Sequence, residues 1–401
     1  MSFAQAVIGA GLGDEGKGKT VDFLAYQLRD QHPIVVRFNG GAQAGHTVET
    51  PDGKRHSFHQ FGAGTIAGAE TYLSQFFIIN PSSFVTEGKI LQDLSAFMRP
   101  KIDGNCRVTT PYDILLNQAA ETYRGNNKHG SCGFGVNETV TRHENADFRL
   151  EFKDLYTKEK IEKKLNKIQN EWVPARIEAL NIEISENLSH FFKSSAIKDD
   201  FLRDCEWLIS HSLATDIDCL HDRRIIFEGA QGLLLDEEHP NFPYVTRSKT
   251  GLTNVVSILD YLDIDDLSVT YVTRCYATRH GVGPLPWELP GPPYKNIVDK
   301  TNVINYWQDE LRFGWLDLNI LEKAIKDDFA ILDDYYDRAL NIHVTCLDQI
   351  DNEAVTFMFD KRQITVNEDI FLSTLDELLE ADNVIYSKGP TREYVSIYWH
   401  F

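Results

Sequence analysis

Short apolar runs alternate with amphipathic stretches along the first hundred residues of this 401-residue chain. AVIGA (6–10) is continuously apolar, as a parallel strand buried on both faces must be. In the GKGKTVDFLAYQLRD that follows, Val21, Leu24, Ala25 and Leu28 fall at i, i+3, i+4 and i+7, which predicts a helix. IVVRF (34–38) is a second buried strand, stopped by the loop signal Asn39-Gly40-Gly41. Strand, helix and strand within about 35 residues predict a βαβ unit.

From roughly Lys153 to Cys219 the pattern changes. TKEKIEKKLNKIQNEW sets Ile161, Leu165, Ile168 and Trp172 on one helical stripe amid charges, the mark of a solvated helix packed on the body. Strand-like runs then resume in RRIIFEGAQ, LSVTYVTRCYATR, ALNIHVTCLDQ and NEAVTFMFD, and the chain closes on NVIYSKGPTREYVSIYWHF. The sum predicts an α/β fold: a large, mostly parallel central sheet flanked by helices, with a P-loop-like nucleotide-binding N-terminus. Residues 1–401 are expected to form a single elaborated α/β domain with a helical elaboration over about 153–219.

Composition narrows the function. A net charge of −20 excludes a broad nucleic-acid surface, which needs clustered Lys and Arg, but leaves room for one phosphate-bearing ligand in a local basic pocket. The six cysteines (Cys106, Cys132, Cys205, Cys219, Cys275, Cys346) form no CxxC pair and read as buried thiols. No apolar run approaches the roughly 18 residues of a spanning helix, and MSFAQAVIGAG runs into the glycine loop without a leader pattern. A cytoplasmic protein without membrane partners is expected.

The candidate chemistry starts at GAGLGDEGKGKT, Gly9 to Thr20. Gly11-x-Gly13-x-x-Gly16 fits a dinucleotide loop, and Gly13-x4-Gly18-Lys19-Thr20 fits a P-loop. A dinucleotide site wants an acid at the end of the second strand, where Arg37 and Asn39 stand instead. A plain P-loop wants a strand ending in a magnesium-holding Asp, which AILDD (330–334) matches by pattern, yet it leaves Asp14 and Glu15 unexplained. A third reading uses the acid. Asp14 beside a phosphate cradle either holds Mg²⁺ or takes a proton from a nucleophile facing the γ-phosphate, while Lys17 neutralises phosphate charge. NGGAQAGHT adds His46 as an acid/base candidate. FEGAQG offers the amide of Gln231, TRHGVGPLPWE carries Arg279, and VTCLDQID and SKGPTR complete the set of strand-end loops.

Taken together, these segments resemble the adenylosuccinate synthetase family, whose loop, AGHT, FEGAQG…LLD…H…P.VT, TR.G.GP.P.E, GW.D and GP.R segments recur here in order from Ile8 to Arg392. The resemblance implies a C–N ligase of purine biosynthesis. In that family GTP phosphorylates the 6-oxygen of IMP, and aspartate then displaces the phosphate. It implies Asp14 as the base at purine N1 and a magnesium ligand, with the Gly45 carbonyl as a second magnesium contact. His46 and Lys17 complete the implied catalytic set. For the triphosphate it implies Gly13, Glu15, Gly16, Lys17, Gly18, Lys19 and Thr47, with Asp348, Ser387, Gly389 and Pro390 around the base. Gln231, Thr246 and Arg279 are implied for the monophosphate, and a homodimer is implied as the assembly.

The chain departs from the family at both binding ends. GGHNAGHT is GGAQAGHT here, placing Gln43 in the monophosphate site. GTTGRGIGP is GSCGFGVNE, leaving Ser131 and Cys132 and replacing an Arg by Phe134. Arg142 stands near the position of the Arg that reaches a neighbouring subunit. The TTGR.RR clamp for aspartate is absent from VINYWQDELRFGWLDL, where Arg312 alone is left to bind the amino acid. Cys346 replaces a Lys of the guanine site. The expectation is a divergent member that uses GTP or ATP with Mg²⁺ on IMP, GMP or dGMP, and joins aspartate or another amine. The rival is a catalytically inactive purine-nucleotide-binding paralogue.

Overall fold

The computed structural model describes residues 3–125, 130–298 and 310–398. Ten strands form its central sheet: β1 (Phe3–Gly9), β2 (Ile34–Arg37), β3 (Glu70–Leu73), β4 (Lys101–Asp103), β5 (Leu213–Thr215), β6 (Arg224–Gly232), β7 (Asp266–Arg274), β8 (Asp337–Thr345), β9 (Asn383–Ser387) and β10 (Val395–Tyr398). Their order is β10-β9-β8-β7-β1-β6-β2-β3-β4-β5. All neighbours are parallel except the antiparallel β9–β10 pair at one edge.

Period-2 alternation sends side chains to two cores, one on each face. Ala4, Ala6, Ile8, Ile34, Val36, Ile225, Phe227, Val269 and Tyr271 pack on one side, against helices Thr253–Leu262, Leu318–Phe329 and Glu368–Leu379. Val7, Val35, Ile226 and Val272 pack on the other, against Val21, Leu24 and Ala25 of helix α1 (Lys17–Gln27) and against helix Ser195–Ser210. Each fully buried aliphatic side chain contributes about 1.5–3 kcal/mol. This double burial is why the central strands read as continuous apolar runs.

The βαβ expectation holds: β1 and β2 run parallel in one sheet and are joined by α1, with β6 lying between them. Ile225, Ile226 and Phe227 are fully buried, which suits β6 to a central slot. Its Gly229 permits close approach, since a Cβ there would lie 3.0 Å from the Val7 carbonyl oxygen. The 267–279 run also divides. β7 ends at Arg274, and Ala277–Arg279 pairs with Arg312–Gly314 in a separate small sheet. The Ala330–Asp334 segment is no strand: it turns off the end of helix Leu318–Phe329 with Leu332 buried, so it supplies no magnesium-holding Asp at a strand end.

The elaboration is helical over Lys158–Lys167, Val173–Leu180, Glu186–Lys193 and Ser195–Ser210, and it then delivers edge strand β5. Ile161, Leu165 and Ile168 are buried as the stripe predicts, while Trp172 sits in a π turn against Phe148. All six cysteines are free, and Cys106, Cys205 and Cys275 are buried. No described helix is long and apolar enough to cross a membrane.

Candidate active site

The C-terminal ends of β1, β2, β6, β7, β8 and β9 place the loops singled out in the sequence around the start of α1. In the Gly9–Thr20 loop, Gly13, Asp14 and Gly16 all take positive φ (91°, 59° and 100°). Asp14 is thus held in a left-handed turn that costs a non-glycine residue of order 1 kcal/mol and must be braced from outside. Arg274, at the end of β7, donates from Nε to the Asp14 carbonyl oxygen at 2.5 Å, and His280 Nε2 lies 3.1 Å from Asp14 Oδ2. Burial works against ionising this carboxyl. The hydrogen bond and charge of His280, together with the charges of Arg274 and Lys17, outweigh it and hold Asp14 below the ordinary 3.8.

Glu15 turns the other way. Its carboxylate accepts the backbone N–H groups of Gly11 (3.0 Å) and Gly13 (2.8 Å) and the Lys17 ammonium (2.7 Å), all within the protein. Its side chain is therefore an internal brace of the loop. The tightness explains Gly9, where a Cβ would come within 2.7 Å of Lys17 Nζ.

His46 opens the strand His46–Glu49, which packs on α1: a Cβ on Gly18 would lie 3.1 Å from His46 Cβ. Its Nδ1 is hydrogen-bonded to Glu228 Oε1, and Glu228 Oε2 accepts the Ala63 N–H at 2.9 Å. Burial leads in lowering the His46 pKa below 6.5, helped by Arg37 and Lys17 and opposed by Glu228. Burial raises that of Glu228, but Arg37, His46 and the Ala63 N–H outweigh it and keep the carboxylate ionised. Nδ1–H therefore donates to Glu228, and Nε2 is the nitrogen open to exchange a proton. The Lys17 charge acts on both Asp14 and His46.

Lys19 joins two further loops. Its ammonium donates to Ser387 Oγ (2.6 Å) and the Gly389 carbonyl (2.9 Å), and it feels the charge of the exposed Asp348. Pro390 is exposed beside them. Cys346 stands at positive φ (66°) just ahead of Asp348, and Thr345 Oγ1 donates to the Glu15 carbonyl at 2.7 Å. Thr47 is half-buried, with its hydroxyl 3.3 Å from Ser57 Oγ.

On the other side of the loop, Gln231 takes φ 67° at the end of β6, and a Cβ on Gly13 would lie 3.5 Å from its Oε1. The Gln43 amide is buried beside Gly40 and Gly41, with neither Nε2 nor Oε1 hydrogen-bonded among the described residues. Thr246 is half-buried, its N–H on the Leu235 carbonyl. The Ser131 hydroxyl is committed to Asn117 Oδ1 (2.8 Å) and accepts the Gly133 N–H. Burial pushes the Cys132 thiol up to about 11, so it is a neutral wall rather than an anion.

Three arginines assigned to ligands make hydrogen bonds within the protein. Arg142 is fully buried, bonded to both oxygens of fully buried Asp113 and to the carbonyls of Val108 and Phe148. Four of its five N–H donors are thus committed inside the core. Arg279 spends its guanidinium on the carbonyls of Val282, Pro284 and Tyr244. Arg312 is bidentate to Glu288 and also holds the carbonyls of Gly281 and Gly283, which takes four of its five N–H donors. Most of the stretch leading to it, residues 303–309, lies outside the described residues.

The two groups assigned to magnesium are an ionised carboxylate, Asp14, and the carbonyl of exposed Gly45. Hard oxygen donors few in number fit an ion that keeps most of its shell for water and phosphate. No cluster of three or more carboxylate, imidazole or thiol groups suited to a metal occurs among the described residues. Two residues that the motifs do not single out also enter the site, Glu228 and His280. An acid inside the apolar run IIFEGA signals a buried partner, but nothing local names His46 as that partner.

A profile of the family described as adenylosuccinate synthetase matches residues 6–387. The adenylosuccinate synthetase of Clostridium botulinum (strain Eklund 17B / Type B) is 30% identical over 329 residues, 80% of this chain and 74% of the relative. That of Psychrobacter arcticus is 31% identical over 336 residues, 80% and 73% of the two chains. The fully ligated adenylosuccinate synthetase from Plasmodium falciparum shares the fold with a TM-score of 0.75 at 18% identity, over 98% of this chain and 99% of that one. The Cyanophage S-2L succinoaminodeoxyadenylate synthetase (PurZ), bound to dGMP and dATP as an energy donor, gives 0.60 at 14% identity, over 99% and 95%.

Proposed function

The chain belongs to the adenylosuccinate synthetase family of C–N ligases, and on that premise we propose that it activates the 6-oxygen of a purine nucleoside monophosphate with a nucleoside triphosphate and then installs an amine. The observation that carries this is Asp14: an ionised carboxylate, braced at positive φ in a phosphate-type loop. A loop that only bound polyphosphate would gain nothing from it.

Asp14 takes the N1 proton of the 6-oxopurine, which puts electron density on O6 and makes it the nucleophile. O6 attacks the γ-phosphorus, and the bond to the β-phosphate oxygen breaks to leave the diphosphate. His46, its Nδ1 held by Glu228, acts with a proton on Nε2 and donates it toward the charge developing on the transferred group, and the N-terminus of α1 contributes its N–H dipoles. The amine then attacks C6 and expels phosphate, so the sum is triphosphate, monophosphate and amine in, and diphosphate, phosphate and the N6-substituted nucleotide out. Magnesium, when bound, neutralises the phosphates; Asp14 and the Gly45 carbonyl would hold it. Lys19, Asp348, Ser387, Gly389 and Pro390 form the seat for the triphosphate base, GTP or ATP, and Gln43, Gln231 and Thr246 that for IMP, GMP or dGMP.

The amine donor is an amino acid, aspartate or another. With Arg279 and Arg312 committed internally, the family's two-carboxylate clamp has no counterpart among the described residues. We place the enzyme in the cytoplasm as one elaborated domain per subunit of a homodimer, without nucleic-acid or membrane partners. The test screens IMP, GMP and dGMP against ATP and GTP with a panel of amino acids, reading phosphate release and product mass. An amine adduct from any combination supports the ligase. Tight purine binding with no turnover would identify an inactive paralogue instead.

A further inference from the structure

We infer that His280 is a positioning residue for Asp14, setting the rotation of the carboxylate that accepts the purine proton. The inference rests on the reading of Asp14 as that base. It begins with what the other cations near the loop are doing. Lys17 is paired with Glu15 at 2.7 Å, and Lys19 is committed to Ser387 and Gly389. Arg274 reaches the backbone of Asp14, not its side chain, and its Nη1 goes to the Tyr276 hydroxyl at 3.1 Å. Among the described residues, the contact made to the carboxylate itself comes from outside the loop, from His280 Nε2 at 3.1 Å from Oδ2.

His280 rides on a loop built to hold still. Arg279 fastens the carbonyls of Val282 and Pro284 from within and that of Tyr244 across the loop. Arg312 fastens those of Gly281 and Gly283. Gly281 and Gly283 take φ of 69° and 110°, a path that side chains at those positions would resist. Gly130 packs against the same loop, its Cβ position 3.1 Å from the Val282 nitrogen. Five carbonyl bonds from two buried or half-buried arginines thus serve one purpose, a fixed platform for the residue between them. With Arg274 fixing the backbone and His280 fixing Oδ2, the carboxylate has one orientation, and Oδ1 is the oxygen left for the proton. Preorganisation of this kind raises kcat without changing how substrates bind, because it removes a rotation from the reacting step.

The test compares His280→Gln, whose Nε2 can reproduce the ring donor, with His280→Leu, which keeps bulk and loses the donor. The readout is steady-state kinetics of phosphate release with the monophosphate and triphosphate that the wild-type enzyme uses, with thermal unfolding of each variant alongside. The expected result for His280→Leu is a kcat lower by roughly tenfold to a hundredfold, at KM values for both nucleotides within about twofold of wild type. His280→Gln is expected to recover most of that loss. A His280→Leu enzyme with wild-type kcat overturns the inference, as does a variant in which only KM or only unfolding changes, or one that Gln does not rescue. If wild type turns over and His280→Leu matches it, the positioning role alone falls. If wild type itself releases no phosphate with any nucleotide pair, the ligase reading falls and takes this inference with it.

Discussion

His46 and Glu228, 182 positions apart in sequence, form one buried acid/base unit in which the imidazole donates from Nδ1 to a carboxylate with no solvent exposure. Glu228 opposes the fall in the His46 pKa that burial causes. Glu228→Gln keeps the shape and removes the charge, so the imidazole becomes still harder to protonate. We expect kcat for phosphoryl transfer to fall by about 10²-fold with little change in KM, and the alkaline limb of its pH profile, where His46 loses the Nε2 proton, to move to lower pH. A pH–rate profile of the variant checks both; an unmoved alkaline limb would separate Glu228 from the proton chemistry.

Asp14→Asn tests the base directly. The amide is isosteric and still able to meet His280, but it cannot accept the N1 proton. The expected loss is about 10²–10⁴-fold in kcat, with the monophosphate KM changed only a few-fold. Single-turnover phosphoryl transfer measures it without depending on which amine completes the reaction.

Acid should unfold this protein early. Burial leads in pushing His46, His143 and His343 below the ordinary 6.5, His143 to about 4 and His343 well down. A histidine with a lowered folded pKa binds its proton first in the unfolded chain. Stability is then complete above about pH 6.5 and declines as pH falls toward the folded values. Glu228 and Asp14, also lowered, lose their contributions at still lower pH. The urea midpoint should drop steadily from pH 7 to pH 4.5. His143→Gln should flatten that decline, by on the order of 3 kcal/mol at its acid end.

How much of this was legible in the chain depends on what each residue's partner is. β1, α1 and β2 follow from periodicity because burial on two faces or one stripe is a local demand. The insertion of β6 between β1 and β2 is not local and left no mark in that periodicity. The glycine loop, His46 and Lys19 announced themselves, since few backgrounds put such residues at strand ends. Arg142, Arg279 and Arg312 did not separate themselves from ligand-binding arginines: a guanidinium reads the same whether it will meet a phosphate, a carboxylate such as Asp113 or Glu288, or a row of carbonyls. His280 was hidden for the opposite reason, because its significance lies wholly in a contact 266 positions away.

Arg142 gives the sharpest test of that distinction. Both it and Asp113 are fully buried, so Arg142→Met strands a charge in the core rather than weakening a ligand site. Removing one partner of such a pair costs about 3–5 kcal/mol. We expect that loss in urea unfolding, with the monophosphate KM of the folded enzyme unchanged. Unchanged stability with a raised KM would return Arg142 to the binding site.

Lys19 and Asp348 make the last prediction, which concerns the choice of triphosphate. Lys19 ties the start of α1 to Ser387 and Gly389, while Asp348 projects from the adjoining loop and carries an exposed carboxylate. A carboxylate there accepts from the N1–H and N2–H₂ edge of guanine and finds no such pair of donors on adenine. Lys19→Met removes the brace that sets the seat and should raise the triphosphate KM by about tenfold or more, whichever base is used. Asp348→Asn leaves the brace and removes only the acceptor charge. If the base is read at Asp348, kcat/KM for GTP should fall by roughly 10–100-fold while that for ATP stays nearly level, since hydrogen bonds to charged groups contribute about 1.5–3 kcal/mol. Equal losses for both nucleotides would show that Asp348 acts on the pocket through Lys19 and does not read the base.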